Sequence, residues 1–144
     1  MPTTFSPLLL TTGIIKLGAT PVDYSAEVSH CEIRRTRNMV ELPATFATGT
    51  TEQRAGSQRN EFVINSINDL QTTSLWALFW AQIDDPDGEV PFDVLLGPGL
   101  VSATNPRFTG TLIVSGVSIG GESGTASLNQ LVCPIKGVIT KAIT

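Results

Sequence analysis

Charge is scarce in this 144-residue chain. Asp, Glu, Lys and Arg together make up 15% of it, where about 25% is usual for a globular domain. Thr, Ser, Asn, Gln and Gly replace them, and neutral polar surface is easier to bury against another protein because no ion has to be desolvated. The same composition also fits a secreted or simply charge-poor domain. There is one histidine, His30, and there are two cysteines, Cys31 and Cys133. One His and two distant Cys cannot make a four-ligand zinc site unaided. The cysteine spacing carries no disulfide framework, and two reduced thiols in the packing are expected. Adjacent strand residues point to opposite faces, so His30 and Cys31 are poorly placed to share a proton as a catalytic pair. No apolar run approaches the roughly 20 residues that cross a bilayer, and no basic segment with an apolar run and cleavage site opens the chain. The formal net charge of −4 argues against gripping nucleic acid, which wants a basic face.

Motifs that carry chemistry are equally thin. Asp84, Asp85, Asp87 and Glu89 resemble the start of a calcium loop, but that register needs an acid at 83 and a Glu at 94. The chain has Ile83 and Val94 there, so a solvated helix-ending turn is expected. Gly120-Gly121-Glu122-Ser123-Gly124 has no following Lys or helix and reads as a turn rather than a phosphate cradle. Trp76 and Trp80 stand at helical spacing and read as core rather than as a ligand platform. No catalytic, cofactor-binding or metal-binding residue is assigned, and the chain is expected not to be an enzyme.

What is present is mostly β. Ile14–Leu17 makes a short strand between Gly13 and Gly18 within an N-terminal arm, residues 1–25. Ala26 to Arg34 alternates as a strand, and Glu61 to Ile67 forms another. Between them residues 35–60 form a long connection, strand-like in its first half and polar in its second, for which a hairpin extending from the core accounts. Leu75 to Gln82 is the one clear helix, capped from residues 72–74, within a helical region of about 73–83. Its two apolar stripes, Leu75/Leu78/Phe79 and Trp76/Trp80/Ile83, predict cover on more than one side. Glu89 to Leu96, Phe108 to Ser115 and Thr125 to Val132 are further strands, and residues 138–144 a short tail. The fold class is mainly β: a sandwich or split barrel with one flanking helix, in a single domain over 1–144.

The order of these features resembles the tail tube proteins of long-tailed bacteriophages. The likeness lies in Glu61-Phe-Val-Ile-Asn-Ser-Ile-Asn-Asp-Leu70 running into the helix, in Asp87-Gly88-Glu89-Val90-Pro91-Phe92-Asp93-Val94, and in Phe108-Thr-Gly-Thr-Leu-Ile-Val-Ser115 followed by Ile119-Gly-Gly121. The resemblance implies a structural virion protein that forms hexameric rings stacked into the tail tube. DNA would pass through without specific binding. It also implies tape-measure, tail terminator and tail tip proteins as partners, no cofactor and no membrane, and a place in the phage tail after assembly in the host cytoplasm. A head–tail joining or capsid-decorating protein, and a carbohydrate- or receptor-binding β-sandwich, are the alternatives. Arg34, Arg35 and Arg37 are candidate contacts to a neighbouring copy, with Asp84, Asp85 and Asp87 as their partners; a solvated strand end is the other reading of the arginines.

Overall fold

The computed structural model describes Leu10 and residues 12–144. Within them lie β1 (Ile14–Leu17), β2 (Val22–Asp23), β3 (Val28–Leu42), β4 (Glu52–Ile67), α1 (Leu75–Ile83), β5 (Glu89–Leu95), β6 (Arg107–Ile113) and β7 (Leu128–Ala142). Every neighbouring pair is antiparallel, in the order β2-β1-β5-β6-β7-β4-β3. The class is mainly β with one helix, as the alternation predicts.

β7 holds the sheet together and also divides it. Its first half pairs with β4, from Leu128 opposite Ile67 to Pro134 opposite Glu61. Its second half pairs with β6, from Ile135 opposite Leu112 to Ala142 opposite Arg107. The change of partner falls at Pro134, which has no N–H to give a ladder. Two half-sheets sharing one strand can fold toward each other, and Phe62 of β4 meets Phe92 of β5 across the gap with ring centroids 4.9 Å apart. Ile15, Leu17, Ile64, Val90, Val94, Leu112 and Cys133 complete the centre of that core.

Period-two alternation decides which side chains reach it. Phe62, Ile64 and Ser66 face inward along β4 opposite Cys133, Leu131 and Asn129 of β7. Cys31 and Ile33 do the same from β3. A bulge at Ser29, between the pairs Val28–Ser66 and His30–Asn65, returns Val28 to the inner side despite its odd spacing from Cys31. Opposite Phe92 stands Gly110, where an added Cβ would lie 2.8 Å from the ring. Glycine there gives the aromatic ring room to lie across the strand.

Ser74 caps α1, its Oγ accepting the Ala77 N–H at 3.2 Å, as predicted for this stretch. Leu75 and Phe79 are buried. The second stripe differs from expectation: Trp76 is half-buried, donating its indole N–H to the Ser118 carbonyl at 3.2 Å, but Trp80 is 48% exposed and Ile83 40%. One chain supplies a surface for only one face of the helix.

The short strand Ile14–Leu17 and the hairpin over residues 35–60 are present as the sequence suggests, while parts of the hairpin, the arm and the tail are more ordered than expected. Glu52–Asn60 is strand, because β3 offers it a backbone ladder that needs no apolar alternation. Ile14–Leu17 and Val22–Asp23, within the expected N-terminal arm, are paired in the sheet; residues 1–9 and Thr11, the rest of that arm's first half, lie outside the described residues. In the expected tail, Thr140–Ala142 pair with β6, after a slip of two residues around Gly137 at φ +74° that turns Val138 outward.

Candidate functional site

The geometry that bears on function is a set of uncovered surfaces. β3 ends the strand order, so one side of its backbone has no ladder partner among the described residues. From Arg34 onward β3 has lost the core, and β4 before Glu61 has lost β7. The two strands run on alone as a twisted ribbon. Nine residues, Glu52 to Asn60, project past the last β4–β7 pair, a reach of about 30 Å at the usual rise per strand residue. A second bulge sets Gly56 and Ser57 opposite Asn38, whose Nδ2 donates to Ser57 Oγ at 3.2 Å. No alanine fits at Gly56 without a shift, since its Cβ would meet the Asn38 carbonyl oxygen at 2.8 Å. Bulges increase local twist, so this ribbon is shaped rather than slack.

The six residues singled out as contacts fall into two groups. Arg34 lies on the outer face, its Nε 2.7 Å from Glu32 Oε1, while His30 Nε2 approaches Glu32 Oε2 at 3.3 Å. Hydrogen bonding by Arg34, then by His30, holds the Glu32 carboxyl below its ordinary value. Arg35 and Arg37 stand on the other face of the ribbon, exposed, with no ion pair among the described residues. Asp84 closes α1 as its C-cap; the Asp87 N–H donates to Asp85 Oδ1 at 3.0 Å in the following turn. Gly88 at φ +59° completes that turn. Among the described residues no ion pair joins the arginine group to the aspartate group.

Sequence reasoning passed over Arg54 and Arg59, which ride on the same ribbon; Arg59 pairs with Glu61 at 2.7 Å and Arg54 stands 3.8 Å from Glu52. Their polar surroundings gave no alternation to place them on a strand. Two further ion pairs fasten ladders internally, Arg107 to Asp93 across β6–β5 and Lys136 to Glu89.

The histidine and the thiol beside it are kept apart. His30 and Cys31 are on opposite faces of β3, and burial pushes the Cys31 thiol up to about 12. Cys133 is buried and its thiol is also raised by burial, against bonds from Ser115. Among the described residues no three His, Cys, Asp or Glu side chains are grouped to hold a metal ion, and no helix is long and apolar enough to cross a membrane. A groove of about 660 Å³ runs between β3 and β1, lined by Ile15, Val28, His30 and Leu96 among others. A second, near 440 Å³, lies under the Gly120–Gly121 turn. Cys31 lines the first groove with His30, and no hydrogen bond joins the two among the described residues; Ser25 Oγ, on the same wall, donates to Asp23 Oδ1 at 2.5 Å.

No family model and no curated protein matches the sequence. Solved structures do. A chain in the virion of a native gene transfer agent particle superposes with TM-score 0.64 at 14% identity, over 90% of this chain and 95% of that one. A chain in the tail of an empty gene transfer agent particle of C6 symmetry gives 0.63 at 16%, over 88% and 92%. One in the six-fold symmetrised baseplate of the anti-feeding prophage gives 0.63 at 10%, over 96% and 97%. The resemblance read from the order of elements is thus present as a likeness of fold, shared over nearly the whole chain with components of phage-like tail particles.

Proposed function

We propose that this protein is a non-catalytic structural subunit of a phage-type tail, which assembles with copies of itself into six-membered rings that stack as the tail tube. The observation that carries the proposal is the uncovered edge of β3 with its projecting ribbon, in a fold shared with chains of six-fold tail particles. An exposed edge of this length is a template for pairing. Closing the subunits into a ring satisfies every edge and stops further lateral growth. The net charge of −4 lets DNA pass a channel without being held. Tape-measure, terminator and tip proteins are the partners such a tube would meet, and the virion tail is its place.

A carbohydrate-binding module has one observation on its side, the half-exposed Trp80. Trp76 stacks on it at 5.0 Å and 29°, and neither groove is lined by either ring. A sugar platform needs free aromatic faces, and the two indoles stack on each other, so the assembly reading is preferred.

Negative-stain electron microscopy of the purified protein at rising concentration tests the proposal. Stacked rings or tubes with a central hole are expected. A folded monomer at every concentration, with or without tail tip components, would overturn it.

A further inference from the structure

The charges of this chain are segregated. Between residues 34 and 60 there are five arginines and two glutamates; the remainder has four cations and eleven carboxylates. The basic part is the projecting ribbon, and the acidic part is the body. The ribbon also carries apolar side chains with no core to enter: Met39 is 57% exposed, Val40 is exposed, and Phe46 at the tip is fully exposed. A free two-stranded ribbon is marginally stable in water at best, so it gains most from a surface to lie on.

The C-terminal end of α1 has the complementary character. Trp80 and Ile83, three residues apart on one face, are uncovered. Asp84, Asp85 and Asp87 follow at once. They stand at the negative end of the helix dipole, where anions are unfavourable, and the last turn holds no basic residue to offset them. No ion pair among the described residues reaches them. The spacing also matches. Arg35, Arg37 and Met39 share one face of β3 at intervals of about 6.6 Å. Trp80 to Asp84, four residues along the helix, is about 6 Å.

Resting on the self-assembly reading, we propose that the ribbon of one copy lies along the C-terminal end of α1 of a second copy. Met39 packs on Trp80 and Ile83, and Arg37 and Arg35 meet Asp84 and Asp87. The contact is head-to-tail, since each copy offers a ribbon at one place and a helix end at another, and so it propagates from copy to copy. Apolar residues beside the arginines favour a protein partner over a nucleic acid for this ribbon.

Two experiments test the pairing. In the first, Met39→Cys and Ile83→Cys variants are mixed under assembly conditions and oxidised. A disulfide-linked dimer is expected in the mixture and not in either variant alone. Assembled particles from the mixture that yield no such dimer would overturn the pairing while leaving self-assembly intact. In the second, Arg35→Glu/Arg37→Glu is expected to raise the protein concentration needed for assembly at least tenfold at low salt, with the melting temperature unchanged. Adding Asp84→Arg/Asp87→Arg to it is expected to restore assembly. Normal assembly of the arginine variant would overturn the pairing, as would retention of duplex DNA by the parent but not by that variant. Failure of the unmodified protein to assemble would instead count against the proposed function.

Discussion

At the scale of single residues, Gly110 and Phe92 form a close contact in the core. The ring of Phe92 also meets Phe62 from the other half-sheet, so it links both layers of the core. Gly110→Ala drives a methyl group into that ring and is expected to destabilise the fold by about 1–3 kcal/mol, the usual cost of overpacking, measured by urea unfolding. The thiols give a second prediction. Burial raises both, Cys31 to about 12, so the reactive thiolate is nearly absent at pH 8. Iodoacetamide is expected to leave the native protein unlabelled over minutes and to label both cysteines once it is unfolded. Glu27 gives a third. Its Oε1 accepts the Leu75 N–H at 3.3 Å, but burial, the largest influence, raises its pKa above the ordinary 4.5. Its protonated form is therefore favoured by folding: that stabilisation is complete below pH 4.5 and is lost as pH rises through the raised native value. Glu27→Gln keeps an acceptor oxygen without the charge. It is expected to melt no lower than the parent at pH 7, and to lack this residue's contribution to the pH dependence of melting above pH 4.5.

At the scale of elements, the ribbon is separable from the fold that carries it. Its residues beyond Arg37 and Gln58 touch none of the core, and Arg37 and Gln58 face each other across the ladder. Joining them through a two-residue Asn-Gly turn, in place of residues 38–57, matches the twist of the flanking strands. The shortened protein is expected to melt within a few degrees of the parent by circular dichroism and to form no tubes under the microscope. Elements such as α1 and β6 were legible in the sequence because caps and alternation announce them: Ser74 before an apolar run, and Phe108, Leu112 and Val114 in alternation with Thr109, Thr111, Ile113 and Ser115. The hairpin over residues 35–60 was suggested by its strand-like first half, but the polar second half, Glu52–Asn60, carried no strand signal of its own, since a ladder between two polar strands leaves no hydrophobic pattern. Thr140–Ala142 was hidden by the two-residue slip at Gly137, which breaks the period of two just before the pairing resumes. Trp80 was read as core because spacing shows which residues share a face of a helix, not whether the same chain covers that face.

At the scale of the whole molecule, a basic ribbon on an acidic body makes attraction between copies depend on ionic strength. The screening length falls from about 10 Å at 0.1 M salt to about 3 Å at 1 M. Light scattering is expected to show assembly requiring more protein as NaCl rises, and a curve flat from low to high salt would show that edge pairing and apolar contact outweigh charge. Of the candidate site, the residues Arg34, Arg35, Arg37, Asp84, Asp85 and Asp87 were readable as charge clusters. Their separation within one chain was not, because distance between segments is a property of the fold.

The placement of β7 has a consequence for how the protein is made. The strand lies between β6 and β4, in the interior of the strand order, although it follows all the others in the chain. During synthesis β3 and β4 can form their hairpin, and β1, β2, β5 and β6 their own small sheet, but the two have no strand in common until residues 128–142 leave the ribosome. Mature packing of Phe62 against Phe92 waits for that moment. A nascent chain on a polysome, where neighbouring copies are crowded together, therefore lacks the finished subunit's shape until β7 has been made and paired, and ordered joining of copies is deferred to that point.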